Sequence, residues 1–207
     1  MDTSYKTIKK AAEAEIVEKK SRFICHIRPV TTEKEALDFL NEIRAQYRDA
    51  THNVYAYIIR ENNIMRYSDD GEPSGTSGMP TLDILRKENL TDAIVVTTRY
   101  FGGTLLGTGG LVRAYGKAAK AGVEAAGIVT RALCRRVTVS VDYAMSGKIQ
   151  YAIAEADCSP QPPEYGERVL FPAIVKSDLV DRFVSDMTEA SFGQAEITVG
   201  EEDYMDL

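Results

Sequence analysis

Histidine, cysteine and long apolar runs are all scarce in this chain, and each scarcity excludes a class of function. Two histidines, His26 and His52, are too few for a multi-histidine zinc site. Cys25, Cys134 and Cys158 are odd in number and too scattered for a disulfide framework or a zinc knuckle. No apolar run approaches the roughly 20 residues of a membrane span. The opening segment MDTSYKTIKKAAEAEI lacks the apolar core of a signal peptide. The expectation is a cytoplasmic, reduced, soluble protein with no metal set and no cofactor motif. Its 207 residues, 44% hydrophobic and 27% charged, suit a globular protein of one large or two small domains.

One further absence is local. No acidic residue occurs between Asp92 and Glu124, while Arg99, Arg113, Lys117 and Lys120 all fall in that gap. Inside it lies RYFGGTLLGTGGLVRAYG, residues 99–116, with five glycines between positions 102 and 110. An apolar run, Ala93 to Thr98, precedes this segment and an alanine-rich helical pattern follows, so it reads as strand, glycine loop, helix. Glycines allow sharp turns and close approach. Free amides at a helix start, with cations beside them, suit an anion. The expected anion or RNA site is Arg99, Gly102, Gly103, Gly107, Thr108, Gly109, Gly110, Arg113 and Lys117. The competing reading is a tight turn that packs strand on helix. The loop is no Walker A motif, because Thr108 stands where Lys is required. It is no dinucleotide fingerprint either, because Val112 stands where the third glycine would be.

Charge divides along the chain. Residues 1–130 carry a net +1 and residues 131–207 a net −7. Between Ala93 and Val141 seven cations face one anion, Glu124. A basic region within an acidic protein can take a specific anion while the net charge resists indiscriminate binding. A solvated helix face followed by a charged linker is the plainer alternative.

Periodicity supplies the elements. Phe23, Cys25 and Ile27 alternate as a strand, and with the AEIV segment and the KKS turn they suggest an opening hairpin. Thr32 and Glu35 form a capping box for a helix with Ala36, Phe39, Leu40, Ile43 and Tyr47 on its apolar face. NVYAYIIR, 53–60, reads as a buried strand, Asn62-Asn63 as a turn, and IMRYSDD as the next strand. Residues 71–81 read as loop, followed by a short helix, Leu82 to Glu88. The strand 93–100 and the glycine loop lead to a long helix ending near Gly127. Leu111, Tyr115, Ala118, Gly122 and Ala126 share one face of it; Arg113, Lys117, Lys120 and Glu124 share another. A boundary is expected near Thr130–Leu133. Val137, Val139, Val141 and Tyr143 then alternate as a strand, and Ile149, Ala152, Ile153 and Ala156 mark a helix. Residues 168–176 form a strand with Pro172 at an edge or bulge. Leu179, Phe183, Val184, Met187 and Ala190 mark the last helix, and Ala195, Ile197 and Val199 the last strand. A weak strand within the proline-crowded 157–166 completes a βαββαβ, ferredoxin-like pattern.

Other motifs each carry two readings. Asp69, Asp70 and Glu72 could hold a hard cation or form a solvated acidic turn. His52 could be a general base or bond a neighbouring loop. Ser74, Thr76 and Ser77 lie among glycines without a nucleophile motif around them. No complete catalytic set is visible, so no catalytic residue is assigned; His52, Asp70 and Ser74 are retained as a possible pocket.

The segments KSRFI, ATHNVYAY, DDGEPSGTSGMP and VVTTRYFGGTLLGTGGLVRAYG together resemble the IMPACT family, in its bacterial two-domain form. The resemblance implies an α+β chain of two domains, 1–130 and 131–207. The first would share the β-α fold of the second domain of small-subunit ribosomal protein five. The second would be ferredoxin-like, resembling domain five of elongation factor G. It also implies an association with translation, since eukaryotic relatives regulate it, and RNA, the ribosome or a translation factor as partner. Three readings follow. A non-catalytic binding module would contact phosphates through Arg99, Arg113 and Lys117, with Tyr100 and Phe101 stacked on a base or buried at the strand end. An enzyme for a phosphorylated or carboxylated small molecule would gather His52, Asp70 and Ser74 across from Arg99. A pure protein-interaction domain would show an exposed apolar patch.

Overall fold

Large apolar residues point to both sides of three neighbouring strands, and this decides the architecture of the N-terminal part. The computed structural model describes residues 4–206. It falls into two units, one from Tyr5 to Val129, the other from Thr130 onward together with Ser4. After β1 (Ser4–Ile8), the first unit carries β2 (Ala12–Glu18), β3 (Ser21–Pro29), α1 (Glu33–Gln46), β4 (His52–Ile59), β5 (Ile64–Ser68), α2 (Gly78–Lys87), β6 (Ala93–Tyr100) and α3 (Thr108–Ala126). Five of these strands form an antiparallel sheet in the order β2-β3-β6-β4-β5. A sheet apolar on both faces must be covered on both. Phe23, Cys25, Val54, Ala56, Ala93 and Val95 pack against α2 and α3. Tyr57, Ile59, Ile94 and Val96 pack against Ala36, Phe39, Leu40 and Ile43 of α1.

The expected hairpin, the α1 face and the apolar face of α3 are all present. The α1 cap is present with a shifted return bond: Thr32 Oγ1 accepts the Glu35 N–H at 3.2 Å, while the Glu35 carboxylate takes the Thr31 N–H at 2.7 Å. Helix α2 begins at Gly78, four residues earlier than its apolar residues suggest. The cause is Asp69, whose Oδ1 accepts the N–H of both Ser77 and Gly78 at 3.0 and 2.8 Å.

The second unit holds β7 (Ile128–Val141, which begins just before the division), α4 (Tyr143–Glu155), β8 (Ser159–Pro160), β9 (Glu164–Tyr165), β10 (Val169–Lys176), α5 (Val180–Ala190) and β11 (Glu196–Asp206). β11 and β10 flank β7 antiparallel and β8 lies outside β10, which is the ferredoxin-like strand arrangement. Val137, Val139, Phe171 and Val175 face Ile149, Ile153, Phe183 and Met187 of the two helices. Tyr143 leaves the strand series and opens α4, with Asp142 at its N-cap. The 157–166 segment is two two-residue strands instead of one. Pro172 stays in register opposite Thr138 of β7. Its carbonyl accepts Gln161 N–H at 2.9 Å on the other side, so the missing proline donor faces the short outer strands.

Candidate functional site

The end of β6 places Arg99 beside His52 of β4 and Phe23 of β3, its register partners. Ala93, Val95, Thr97 and Arg99 share one strand face by the period of two, and that face lies under α3. Arg99 is therefore buried, at 6% exposure, and not displayed to solvent as its place beside the glycines suggested. Its Nη1 lies 2.6 Å from Glu72 Oε1, and the same oxygen accepts the Tyr115 hydroxyl at 2.8 Å. Burial, and then the Glu72 carboxylate, push the Tyr115 phenol far up, so it stays protonated and donates. Breaking such a buried pair by removing one partner costs about 3–5 kcal/mol.

The acidic turn is neither solvated nor a cation cage, because its three carboxylates point to three different places. Asp69 caps α2. Asp70 accepts from Arg44 at 2.8 Å and from the Asn53 N–H at 2.7 Å. Glu72 is turned inward, with its side chain 3% exposed. His52 takes the loop-bonding role and keeps one nitrogen over. Its Nδ1 lies 2.8 Å from the Asp70 carbonyl, which fixes that nitrogen as the N–H donor. Nε2 is 3.9 Å from Glu72 Oε2, and in the neutral ring it is an acceptor. Among the described residues no donor lies within hydrogen-bond distance of Glu72 Oε2. His52, the Asp70 backbone, Glu72 and Arg99 thus converge. Ser74 is exposed, and among the described residues no hydrogen bond joins it to any of them.

His52, Glu72 and Arg99 floor a cavity of about 570 Å³. Its walls are mostly apolar: Pro73, Phe101, Leu105, Leu106 and Leu111, with Thr51, Gly107 and Thr108 at the edges. Phe101 is 49% exposed and so is not a buried strand end, Tyr100 is half-buried with its hydroxyl donated to Asp49 at 2.8 Å, and Leu105 is 83% exposed.

The five glycines serve different ends. Gly102 abuts the β2–β3 turn, where a Cβ would collide with the Lys20 carbonyl and the Ser21 backbone nitrogen. Its amide is already spent on Ser21 Oγ at 3.1 Å. Gly107, at φ 73° and ψ 166°, is the N-cap of α3, and its carbonyl accepts Leu111 N–H at 2.9 Å. Among the described residues no protein acceptor meets the amides of Gly103, Thr108, Gly109 or Gly110. The α3 N-terminus therefore opens on the cavity rim with its donors free.

Arg113, one turn in, reaches back toward Gly109, with Nη1 about where a side chain there would touch it at 3.5 Å. It is exposed and forms no ion pair among the described residues. Lys117 lies 3.8 Å from Glu18 across open solvent, a weak restraint. Lys19 and Lys20, at φ 46° and 68°, make the turn against which Gly102 packs. Sequence reasoning read these lysines as a turn but not as neighbours of the glycine loop, and it missed Glu72 as the mate of Arg99 and the apolar walls. A usable signal existed for Glu72: an arginine in phase with Ala93 and Val95 is buried, and a buried guanidinium requires an acid.

Comparison with known proteins fits both units. Residues 19–123 match the Impact N-terminal domain, and residues 139–194 match a domain of unknown function, DUF1949. The chain is 46% identical over 204 residues to IMPACT family member YvyE of Bacillus subtilis, covering 98% of this chain and 94% of that protein. It is 30% identical over 197 residues to IMPACT family member YigZ of Escherichia coli, covering 93% and 97%. A crystal structure described as that of a hypothetical protein superposes with a TM-score of 0.62 at 27% identity, over 98% of this chain and all of the other. Among the described residues no helix is long and apolar enough to cross a membrane.

Proposed function

The chain belongs to the IMPACT family, and from that premise we propose that it is a non-catalytic binding protein of translation that engages RNA, on the ribosome or alone, at its glycine-loop surface. One observation carries the reading: the α3 N-terminus, whose Thr108 lines an open cavity edged by Phe101, begins with three free amides, and Nη1 of the unpaired Arg113 lies beside the second of them at Gly109. Backbone amides and a guanidinium position phosphates, and Phe101 offers a stacking face for an unpaired base. Lys117, Lys19 and Lys20 extend the positive surface. Arg99 contributes no phosphate contact in this reading, because Glu72 neutralises it inside the wall.

An enzyme reading needs His52, Asp70 and Ser74 gathered across from Arg99; of the three only His52 lines the cavity, where Glu72 stands beside Arg99 instead. It is the weaker reading for want of an activated nucleophile: the hydroxyls lining the cavity are those of Thr51 and Thr108, among the described residues neither is hydrogen-bonded to His52, and both oxygens of Asp70 are occupied. The translation link rests on kinship, since eukaryotic members regulate translation.

The test is anisotropy of a labelled single-stranded RNA titrated at several salt concentrations. Each phosphate contact to a single strand adds roughly 0.7 to the slope of log affinity against log salt. Arg113→Glu is expected to weaken binding and flatten the slope while circular dichroism stays unchanged. Full retention of RNA at low salt by the folded variant overturns the reading.

A further inference from the structure

The cavity behind the rim has a polarity of its own. Its deep end holds Glu72, whose Oε1 is saturated by Arg99 and Tyr115 and whose Oε2 accepts nothing. Beside it, 3.9 Å away, stands His52 Nε2, which in the neutral ring is an acceptor because Nδ1–H is held by the Asp70 carbonyl. Two uncommitted acceptors side by side at the floor call for two neighbouring N–H donors. A ligand carboxylate or phosphate is unwelcome there, because it would meet a buried carboxylate oxygen. At the outer end the signs reverse: Thr108 lines the cavity, the free amides of Gly109 and Gly110 follow it in the first turn of α3, and Arg113 Nη1 lies beside Gly109. Between the two ends the walls are apolar and include one aromatic ring, Phe101. The ligand is thus neutral, flat and donor-bearing at one end and anionic at the other, which is the polarity of a nucleotide.

Hydrogen-bonding edges choose among the bases. Adenine and cytosine each place one amino donor beside a ring acceptor, and uracil has a single N–H between two carbonyls. Guanine alone presents adjacent N1–H and N2–H donors on its Watson–Crick edge, the edge that single-stranded recognition reads. We propose that this cavity takes the base of a guanine nucleotide, with the N1–H and N2–H donors on Glu72 Oε2 and His52 Nε2, the ring against Phe101, and the phosphate at the α3 N-terminus beside Arg113. The proposal rests on the RNA-binding reading for the source of the nucleotide, and a free nucleotide shares the same chemistry.

The experiment uses the full chain and short uridine oligomers that carry one central guanosine, adenosine, cytidine or abasic unit, with guanosine monophosphate as a separate titrant. The guanosine oligomer is expected to bind about tenfold more tightly than the abasic one, the scale of one base contact. Glu72→Gln replaces an acceptor by an amide and should bring guanosine down to the abasic level. Because that substitution touches the Arg99 pair, Thr51→Trp at the exposed rim serves as the second variant, closing the mouth without entering the core. It should abolish base preference and leave abasic binding intact. Equal affinity for guanosine and abasic oligomers, or preference for another base, overturns this inference while salt-dependent RNA binding still stands. Binding of guanosine monophosphate, blocked by Thr51→Trp, without binding of any oligomer keeps the inference and removes the RNA reading. Binding of neither removes both.

Discussion

Asp69 holds the loop under the cavity by spending both carboxylate oxygens on backbone it does not adjoin. Oδ2 takes Gly75 N–H at 2.8 Å, and Oδ1 takes the Ser77 hydroxyl at 2.7 Å besides the two α2 amides. Burial alone would raise its pKa, but these bonds outweigh burial and hold the carboxyl below its ordinary 3.8. Its folded-state pKa is depressed, so its stabilisation is present above the unfolded value and is lost as pH falls through the folded one. Asp69→Ala is therefore expected to cost about 1–2 kcal/mol near neutrality, the scale of a lost helix cap. In urea denaturation the gap from wild type should close in strong acid, and a gap that persists there contradicts the account. Legibility at this scale was uneven. Arg99 could be placed on a buried face from AIVVTTRY alone, whereas its mate Glu72 depends on how residues 69–78 fold. That fold is set by Asp69 bonding six to nine positions ahead, beyond any local pattern.

At the scale of elements, the glycine loop divides into residues the fold needs and residues it tolerates. Gly102→Ala drives a methyl into the β2–β3 turn, where the obstacle is backbone and cannot swing away; overpacking of this kind costs about 1–3 kcal/mol. Gly107→Ala meets open space but forces a side chain onto φ 73°, ψ 166°, a region reserved for glycine, at a similar cost of about 1–3 kcal/mol. Gly109→Ala sits in the first turn of α3 with only Arg113 Nη1 near. It is expected to leave stability unchanged or raise it by up to about 1 kcal/mol, from helix propensity. Thermal midpoints of the three variants check this order, and an equal loss in all three would show that the loop acts as a single packed turn. The helix after the loop was readable because Leu111, Tyr115, Ala118, Gly122 and Ala126 repeat at helical spacing. The start of α2 was not, since Gly78-Met79-Pro80 carries no helical signal and its cap comes from nine residues upstream.

For the molecule as a whole, alternation and helical spacing sufficed for most strands and helices of the first unit and for the βαββαβ pattern of the second, whereas the covering of the first sheet on both faces was read only from the structure. The strand expected within 157–166 could not be placed more closely, nor its split into β8 and β9 foreseen, because two residues are too few to alternate and Pro160, Pro162 and Pro163 suppress the pattern around them. Charge was legible throughout, and it has a consequence for binding. The −7 carried by residues 131–207 raises the electrostatic cost of bringing any polyanion to this chain, wherever it docks. The effect depends on range: the screening length is about 30 Å at 0.01 M salt and about 8 Å at 0.15 M. Glu201 and Asp203 are exposed on β11, and neither pairs with a cation among the described residues. Replacing them by Gln and Asn should raise RNA affinity several-fold at about 0.01 M salt, with the gain fading by about 0.15 M. Parallel titrations of wild type and the double variant at the two salts make the measurement. A gain that survives screening would mean that these carboxylates sit against the bound RNA, and no gain at low salt would mean that net charge does not limit the encounter.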